Sequence, residues 1–198
     1  MTPAGGSDEG DRAGWPVQVE GVVESVVTTR GPDGRWAVAA LGLRGGDPVT
    51  ARTWGRTRTR RNFDREGDGV VQFTRDPVAF VEAALAATTA DEPVLDAADA
   101  WVPVSVERLD AGVEAGVEWV DWALHPGAAT VRREGVATVA RGFNAVVEAT
   151  VAASRLGVPG YDDAELRRRL VRLHGLVERC GTARDREAMA RLDALVDG

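Results

Sequence analysis

Turn signals recur in the first 75 residues at intervals too short for helices and well suited to strands. GPDG stands at 31–34 and GGDP at 45–48, flanked by VQVEGVVESVVT from Val17, WAVAALGLR from Trp36 and VTARTW from Val49. Segments rich in β-branched residues between Gly, Pro and Asp read as hairpin-linked strands. GVVQFTR from Gly69 supplies a fourth. WVPVSVERL from Trp101 and GVEAGVEWVDWAL from Gly112 supply two more, the last alternating imperfectly through Val113, Gly116 or Val117, and Trp119. About six short strands joined this tightly and interrupted by one helix predict a small barrel.

Helical signals surround and follow the strands. Asp76 before Pro77 is a helix start, because Asp caps free N–H groups and Pro is tolerated in the first turn. The helix PVAFVEAALAA would bury Phe80, Val81, Ala84 and Leu85. Later, Phe143, Val146, Val147 and Val151 mark a helix ended by Gly157 and Pro159. Asp162 and Glu165 have the spacing of a capping box, and Leu166, Leu170, Leu173 and Val177 form the stripe of a second helix closed by Gly181. Met189, Leu192, Leu195 and Val196 mark a third. The expected plan is a leader over residues 1–15, a barrel over 16–127 and a helical subdomain over 128–198 packed on it. The leader lacks the basic start and apolar stretch of a signal peptide, which predicts a cytoplasmic protein. No apolar run approaches the roughly 20 residues of a membrane-spanning helix.

Few residues announce chemistry. Cys180 is the only cysteine and His125 and His174 the only histidines, so one chain cannot assemble a Cys/His metal site. Ser7, Ser25, Ser105 and Ser154 lie in no nucleophile elbow. His125 precedes Pro126 and reads as a loop residue, and His174 falls on the exposed side of its helix. Trp119 and Trp122 suit a core, an interface or a planar ligand. GRWAVAALGLRGG lacks the spacing of a dinucleotide or Walker loop.

The segment TWGRTRTRRNF is the exception. With Arg52 it places five arginines in ten positions of a chain of net charge −7, and no carboxylate occurs from Pro48 to Phe63. The chain has no lysine and no isoleucine, which coding bias and a salt-adapted acidic surface both explain. An arginine cluster beside threonines can be a solvated face, a nucleic-acid footprint or a phosphate cradle. Nucleic acid needs a broader basic face than one loop of an acidic chain. A small phosphate ligand fits better, because guanidinium, hydroxyl and first-turn N–H donors converge there.

These features, in this order, resemble a known family. Thr28 and Thr29 end a strand, Ala37 to Gly42 form a small-residue strand, Thr57, Thr59 and Asn62 follow as Thr-x-Thr-x-x-Asn, then come DPVAF and FNAVVEATVAASRL. The order is similar to that of the FMN-binding split-barrel proteins, mostly archaeal, of domain-of-unknown-function family 447, relatives of flavin reductases. In the small-residue strand AVAALG stands where the family carries a proline, and Ala145 follows Asn144 where an arginine is usual.

The resemblance implies an α+β fold, a split β-barrel of about six antiparallel strands with a C-terminal helical subdomain. It implies a homodimer with FMN between barrels. Thr57, Arg58, Thr59 and Asn62 would hold the phosphate, the backbone at Ala39, Ala40 and Leu41 would meet the ring edge, and Thr28 and Thr29 would lie nearby. A flavin-dependent oxidoreductase using a nicotinamide or another reductant is the leading expectation, in a halophilic archaeal setting. A non-catalytic flavin carrier and a single-stranded nucleic-acid binder are the alternatives.

Overall fold

The computed structural model describes residues 12–136 and 138–197. Its strands are β1 (Arg12–Ala13), β2 (Val22–Arg30), β3 (Trp36–Arg44), β4 (Val49–Trp54), β5 (Asp68–Phe73), β6 (Thr89–Ala90), β7 (Ala100–Glu114), β8 (Val117–Pro126) and β9 (Ala128–Val131). The helices are α1 (Arg58–Glu66), α2 (Pro77–Leu85), α3 (Arg141–Ala153), α4 (Asp163–Cys180) and α5 (Ala183–Val196). Six strands pair antiparallel in the order β7-β5-β2-β3-β4-β8, and β8 pairs again with β7, so the sheet closes into a barrel. β9 adds to β7, β1 adds to β9, and β6 adds to β3.

Alternation sets the two faces of the wall, because successive side chains of a strand point to opposite sides. On β3, Leu41 and Leu43 join Val27, Val71, Val102 and Trp122 inside the barrel, and Ala39 packs against them. Val38 faces outward with Val26 against Phe80 and Ala83 of α2, and Ala40 packs there too. The other side of α2 belongs to the helical annex, where Val81 meets Val146, Ala149, Val177, Met189 and Leu192. Thus α2 lies between the annex and the wall that carries β3.

α1 is the arginine segment itself. Thr57 caps it by accepting from the Arg60 N–H at 3.2 Å, and Gly67 ends it in the left-handed conformation at φ 72°, which glycine adopts without strain. Phe63 plugs the barrel, 2% exposed and edge to face with Trp122 at 5.3 Å. Burying a phenyl ring this fully is worth about 2–3 kcal/mol, so the polar helix is anchored by one apolar side chain.

Several boundaries differ from the sequence reading. The first long strand starts at Val22, because Gly21 turns the chain at φ 62°, and it continues through Arg30. Gly112 to Glu114 complete β7 instead of opening β8, and the hairpin turns at Ala115 and Gly116, both at positive φ. Ala83 of α2 is buried where Ala84 and Leu85 are half-buried. Asp162 caps α4 through the Ala164 and Glu165 N–H groups, while the reciprocal box belongs to Thr182 and Asp185 at the start of α5. His125 lies in β8 opposite Ser105, not in a loop. His174 is half-buried and bridges α4 to α5 through Asp193 at 2.9 Å. Of the residues expected in a leader, 1–11 lie outside the described residues, and Trp15 packs on the barrel core, edge to face with Phe73 at 6.5 Å. Among the described residues no helix is long and apolar enough to cross a membrane.

Candidate functional site

The barrel wall has one interrupted seam. β3 pairs with β2 along its whole length, but with β4 only at Leu43↔Ala51 and Arg44↔Thr50, and with β6 only at Trp36↔Ala90 and Ala37↔Thr89. Between these contacts the outer edge of β3 runs without a strand partner from Val38 to Gly42, about 14 Å at the rise of an extended chain. The Val38 N–H points outward, to the Thr88 carbonyl at 3.3 Å. In an antiparallel ladder the outward residues alternate, so Ala40 and Gly42 also direct N–H and C=O into the gap while Ala39 and Leu41 face β2. Of the three residues expected to meet a ring edge, Ala40 offers its backbone. Leu41 gives its carbonyl to the Ser25 hydroxyl at 2.7 Å.

The N-terminus of α1 opens onto the same gap. Arg58 Nη2 donates to the Thr88 carbonyl at 3.0 Å, the oxygen that also receives the Val38 N–H. One carbonyl therefore joins the helix start to the strand edge. The first-turn N–H groups of Arg58 and Thr59 have no intrahelical acceptor, as helix geometry requires, and the positive end of the helix favours an anion beside them. Thr59 is 5% exposed, and its hydroxyl makes no hydrogen bond among the described residues. Among the described residues no fully enclosed side-chain polar atom lacks a partner, so that hydroxyl keeps contact with solvent. A solvent-accessible hydroxyl beside free N–H groups suits a small oxyanion.

The other residues singled out for the phosphate are engaged within the chain. Asn62 Nδ2 donates to Thr29 Oγ1 at 2.9 Å and to the Thr29 carbonyl at 3.3 Å, and its Oδ1 accepts from Arg65 at 3.0 Å. Thr28 is fully buried, donating to the Pro93 carbonyl at 2.5 Å and accepting from Gln72 at 3.1 Å. Thr29 and Asn62 thus tie β2 to α1, Thr28 is held on the opposite face of β2 by Pro93 and Gln72, and Thr57, Arg58 and Thr59 stand at the helix start. Most of the arginines turn to carbonyls: Arg60 to Gly55 at 3.1 Å, Arg61 to Arg56 at 3.0 Å, and Arg65 to Arg30. Arg60 also meets Glu118 at 2.9 Å. Arg56 is the outlying one, with its side chain 82% exposed and 3.7 Å from the same carboxylate. Asn144 is exposed on α3.

Arg52 lies on the outer face of β4, bonded through two nitrogens to Asp121 at 2.7 Å each. Its guanidinium stacks over Trp119 at 3.9 Å and lies 5.5 Å from the Trp54 ring. The Arg52 hydrogen bonds hold Asp121 below the usual carboxylate range, against the opposing pull of burial. Trp122 points inward and donates its indole N–H to Thr53 at 2.9 Å. Elsewhere Arg75, Asp76, Asp96, Asp99, Arg133 and Arg184 line an open cleft between barrel and annex, where Arg75 and Arg133 pair with Asp99 and Arg184 pairs with Asp76. Among the described residues no three His, Cys, Asp or Glu side chains are grouped to hold a metal ion.

The sequence offers no signal for the Thr88 carbonyl, which any residue at that position would present. Glu24 is also unmarked there, since an acid at the start of a strand is commonplace.

The fold is shared with a known structure. An FMN-bound protein from Methanosarcina mazei superposes with a TM-score of 0.75 at 23% identity, covering 90% of this chain and 96% of that one. The flavin reductase HpaC complexed with NADP+ covers 60% of this chain and 84% of its own at 14% identity, with a TM-score of 0.40. An FMN-binding protein from Thermus thermophilus covers 70% of this chain and 100% of its own at 11% identity, with a TM-score of 0.38. No curated protein matches the chain. The N-terminal domain of the family described as protein of unknown function (DUF447) matches residues 23–133, and its second domain matches residues 140–194. The chain belongs to the DUF447 family.

Proposed function

We propose that the chain binds FMN along the open edge of β3, with the phosphate at the N-terminus of α1. The observation that carries this reading is the meeting of two unfilled features. A nearly buried hydroxyl without a partner, Thr59, stands at a helix start, and a strand edge without a partner runs from Val38 to Gly42 beside it. The FMN-bound Methanosarcina mazei protein of the same family supports it. Thr59 Oγ1 and the Arg58 and Thr59 N–H groups would hold the phosphate, with Thr57 beside them. The Ala40 backbone would meet the polar rim of the ring, and the small side chains around it permit close approach. Arg58 would act chiefly by fixing the helix start to Thr88, Asn62 and Thr29 by tying α1 to β2, and Thr28 by holding the Pro93 segment against the other face of β2.

Bound FMN supplies its own hydride and electron chemistry, so we read the protein as a flavin-dependent oxidoreductase. A non-catalytic flavin carrier uses the same site. Anaerobic mixing of the yellow protein with NADH or NADPH separates the two: bleaching supports the reductase, and inertness toward nicotinamide and other reductants supports the carrier. The nucleic-acid reading loses ground because Arg58, Arg60, Arg61 and Arg65 are already bonded to backbone carbonyls. We also propose a homodimer, since Trp54 and Val113 remain 42% and 68% exposed and apolar surface of this kind favours association. The binding test is direct. The purified protein should show flavin absorption bands and release FMN on denaturation, and apoprotein should bind FMN more tightly than riboflavin. Equal affinity for the two would remove the phosphate from α1.

A further inference from the structure

Glu24 stands on β2 opposite Gly42 of β3, at the far end of the open edge from α1. Both of its carboxylate oxygens lie 3.7 Å from the point that a Cβ on Gly42 would occupy, as does Val22 Cγ1. Gly42 has no positive φ, so the position makes no demand on glycine's conformational freedom. Glycine inside a strand weakens it, which leaves access as the physical use of the missing side chain. Any larger residue would project past Cβ between the Glu24 carboxyl and the gap.

The surroundings of Glu24 are those of a proton-holding group. It is half-buried, and no hydrogen bond to its carboxyl is formed among the described residues. The charges facing it come from α3 and the turn just after it: Glu148, itself paired with Arg169 of α4, and Arg155. From β3 the facing position is Gly42, and on its own strand the neighbour is Val22, neither of which is charged. Burial is the strongest influence and pushes the carboxyl above the ordinary glutamate value, Glu148 pushes the same way, and Arg155 opposes them.

We infer that Glu24 is the acid of the open-edge site, donating a hydrogen bond in its neutral form, through the notch left by Gly42, to an acceptor atom of the bound heterocycle. This rests on the FMN reading. A neutral carboxylic acid has one O–H to donate, whereas the carboxylate has none and repels an acceptor. Binding that uses the neutral form takes up a proton. Affinity therefore falls as pH rises above the carboxyl's pKa in the ligand-free protein, until the higher pKa of the bound state is passed.

The test is riboflavin titration of the apoprotein by fluorescence quenching between about pH 5 and pH 8. Riboflavin is chosen because its lack of a phosphate removes the other group that titrates there. Wild-type affinity should weaken with rising pH, approaching roughly tenfold per unit within the window. Glu24→Gln keeps a donor and never ionises, so it should bind riboflavin with no pH dependence. Glu148→Gln removes the like charge and should move the wild-type curve to lower pH, a displacement that a purely structural Glu24 would not produce. Flavin binding whose pH dependence is absent in the wild type, or unchanged by Glu24→Gln, overturns this inference and leaves the FMN reading standing. No flavin binding by the wild type at any pH overturns both.

Discussion

Asn62 and Thr59 lie three residues apart on α1, both nearly buried, yet their substitution by alanine should have opposite consequences. Asn62→Ala removes two donor contacts to Thr29, at 2.9 and 3.3 Å, and the acceptor for Arg65 at 3.0 Å. Each such bond is worth about 1 kcal/mol net, and a buried group stripped of its partner costs about 1–3 kcal/mol. Alanine's better helix propensity returns about 0.6 kcal/mol. The balance is a loss of about 2–3 kcal/mol, which at a urea slope of about 2 kcal/mol/M lowers the midpoint by roughly 1–1.5 M. Thr59→Ala removes a hydroxyl with no internal partner and one methyl worth about 0.8 kcal/mol, mostly recovered through helix propensity. Its midpoint should move little, while FMN affinity should fall about tenfold and riboflavin affinity should hold. Tryptophan fluorescence in urea and parallel titrations with both flavins read the contrast. A stable Asn62→Ala protein that had selectively lost FMN would refute the reasoning, as would a Thr59→Ala protein destabilised as much as Asn62→Ala.

Arg58→Ala should weaken FMN and riboflavin together, by several-fold in quenching titrations, because its guanidinium bonds the Thr88 carbonyl that joins the helix start to β3. Asp76→Ala should cost about 1–2 kcal/mol in thermal unfolding, since it removes both the cap on Val78 and the two bonds from Arg184. Burial raises the Asp76 pKa, but the Arg184 and backbone N–H bonds outweigh it and the net shift is downward. The stability Asp76 contributes is therefore complete above the ordinary carboxylate pKa of about 4 and disappears as pH falls through its lower folded value, so an acid titration of the unfolding midpoint should be shallower in the variant. Glu24 has the opposite sign: its pKa is raised, so native stability declines as pH climbs from the unfolded to the folded value, and Glu24→Gln should raise the melting temperature at neutral pH. Gly112→Ala would put a Cβ 2.7 Å from the Trp119 ring, and should lift the indole off Arg52 with a red shift in its emission.

The barrel was legible because its strands are short and their turns carry strong local chemistry. WAVAALGLR and VTARTW have the predicted limits. The hairpin from Gly112 was misdivided because GVE occurs on both sides of the turn and Ala115 is an unusual residue at φ 49°. The arginine segment shows a deeper limit. A sequence displays carboxylates, so a stretch without them looks short of partners, but it does not display carbonyls, of which every residue has one. The arginines of α1 found their acceptors in Gly55, Arg56, Thr88 and Arg30. The orphan at the helix start is a threonine, and only the folded chain separates it from Asn62.

The junction at Thr88 is made by a main-chain oxygen, so mutation has an asymmetric hold on it. Residue 88 can drift to serine, valine or alanine and still present the same acceptor, whereas position 58 must keep a long side chain ending in a donor. Side-chain scanning across 86–90 would report a tolerant loop and miss its most connected atom. Replacing the amide that follows Thr88 by an ester would weaken that carbonyl as an acceptor without changing any side chain. In such a protein the helix start and the strand edge lose their common reference at once, which no substitution among the twenty residues can achieve.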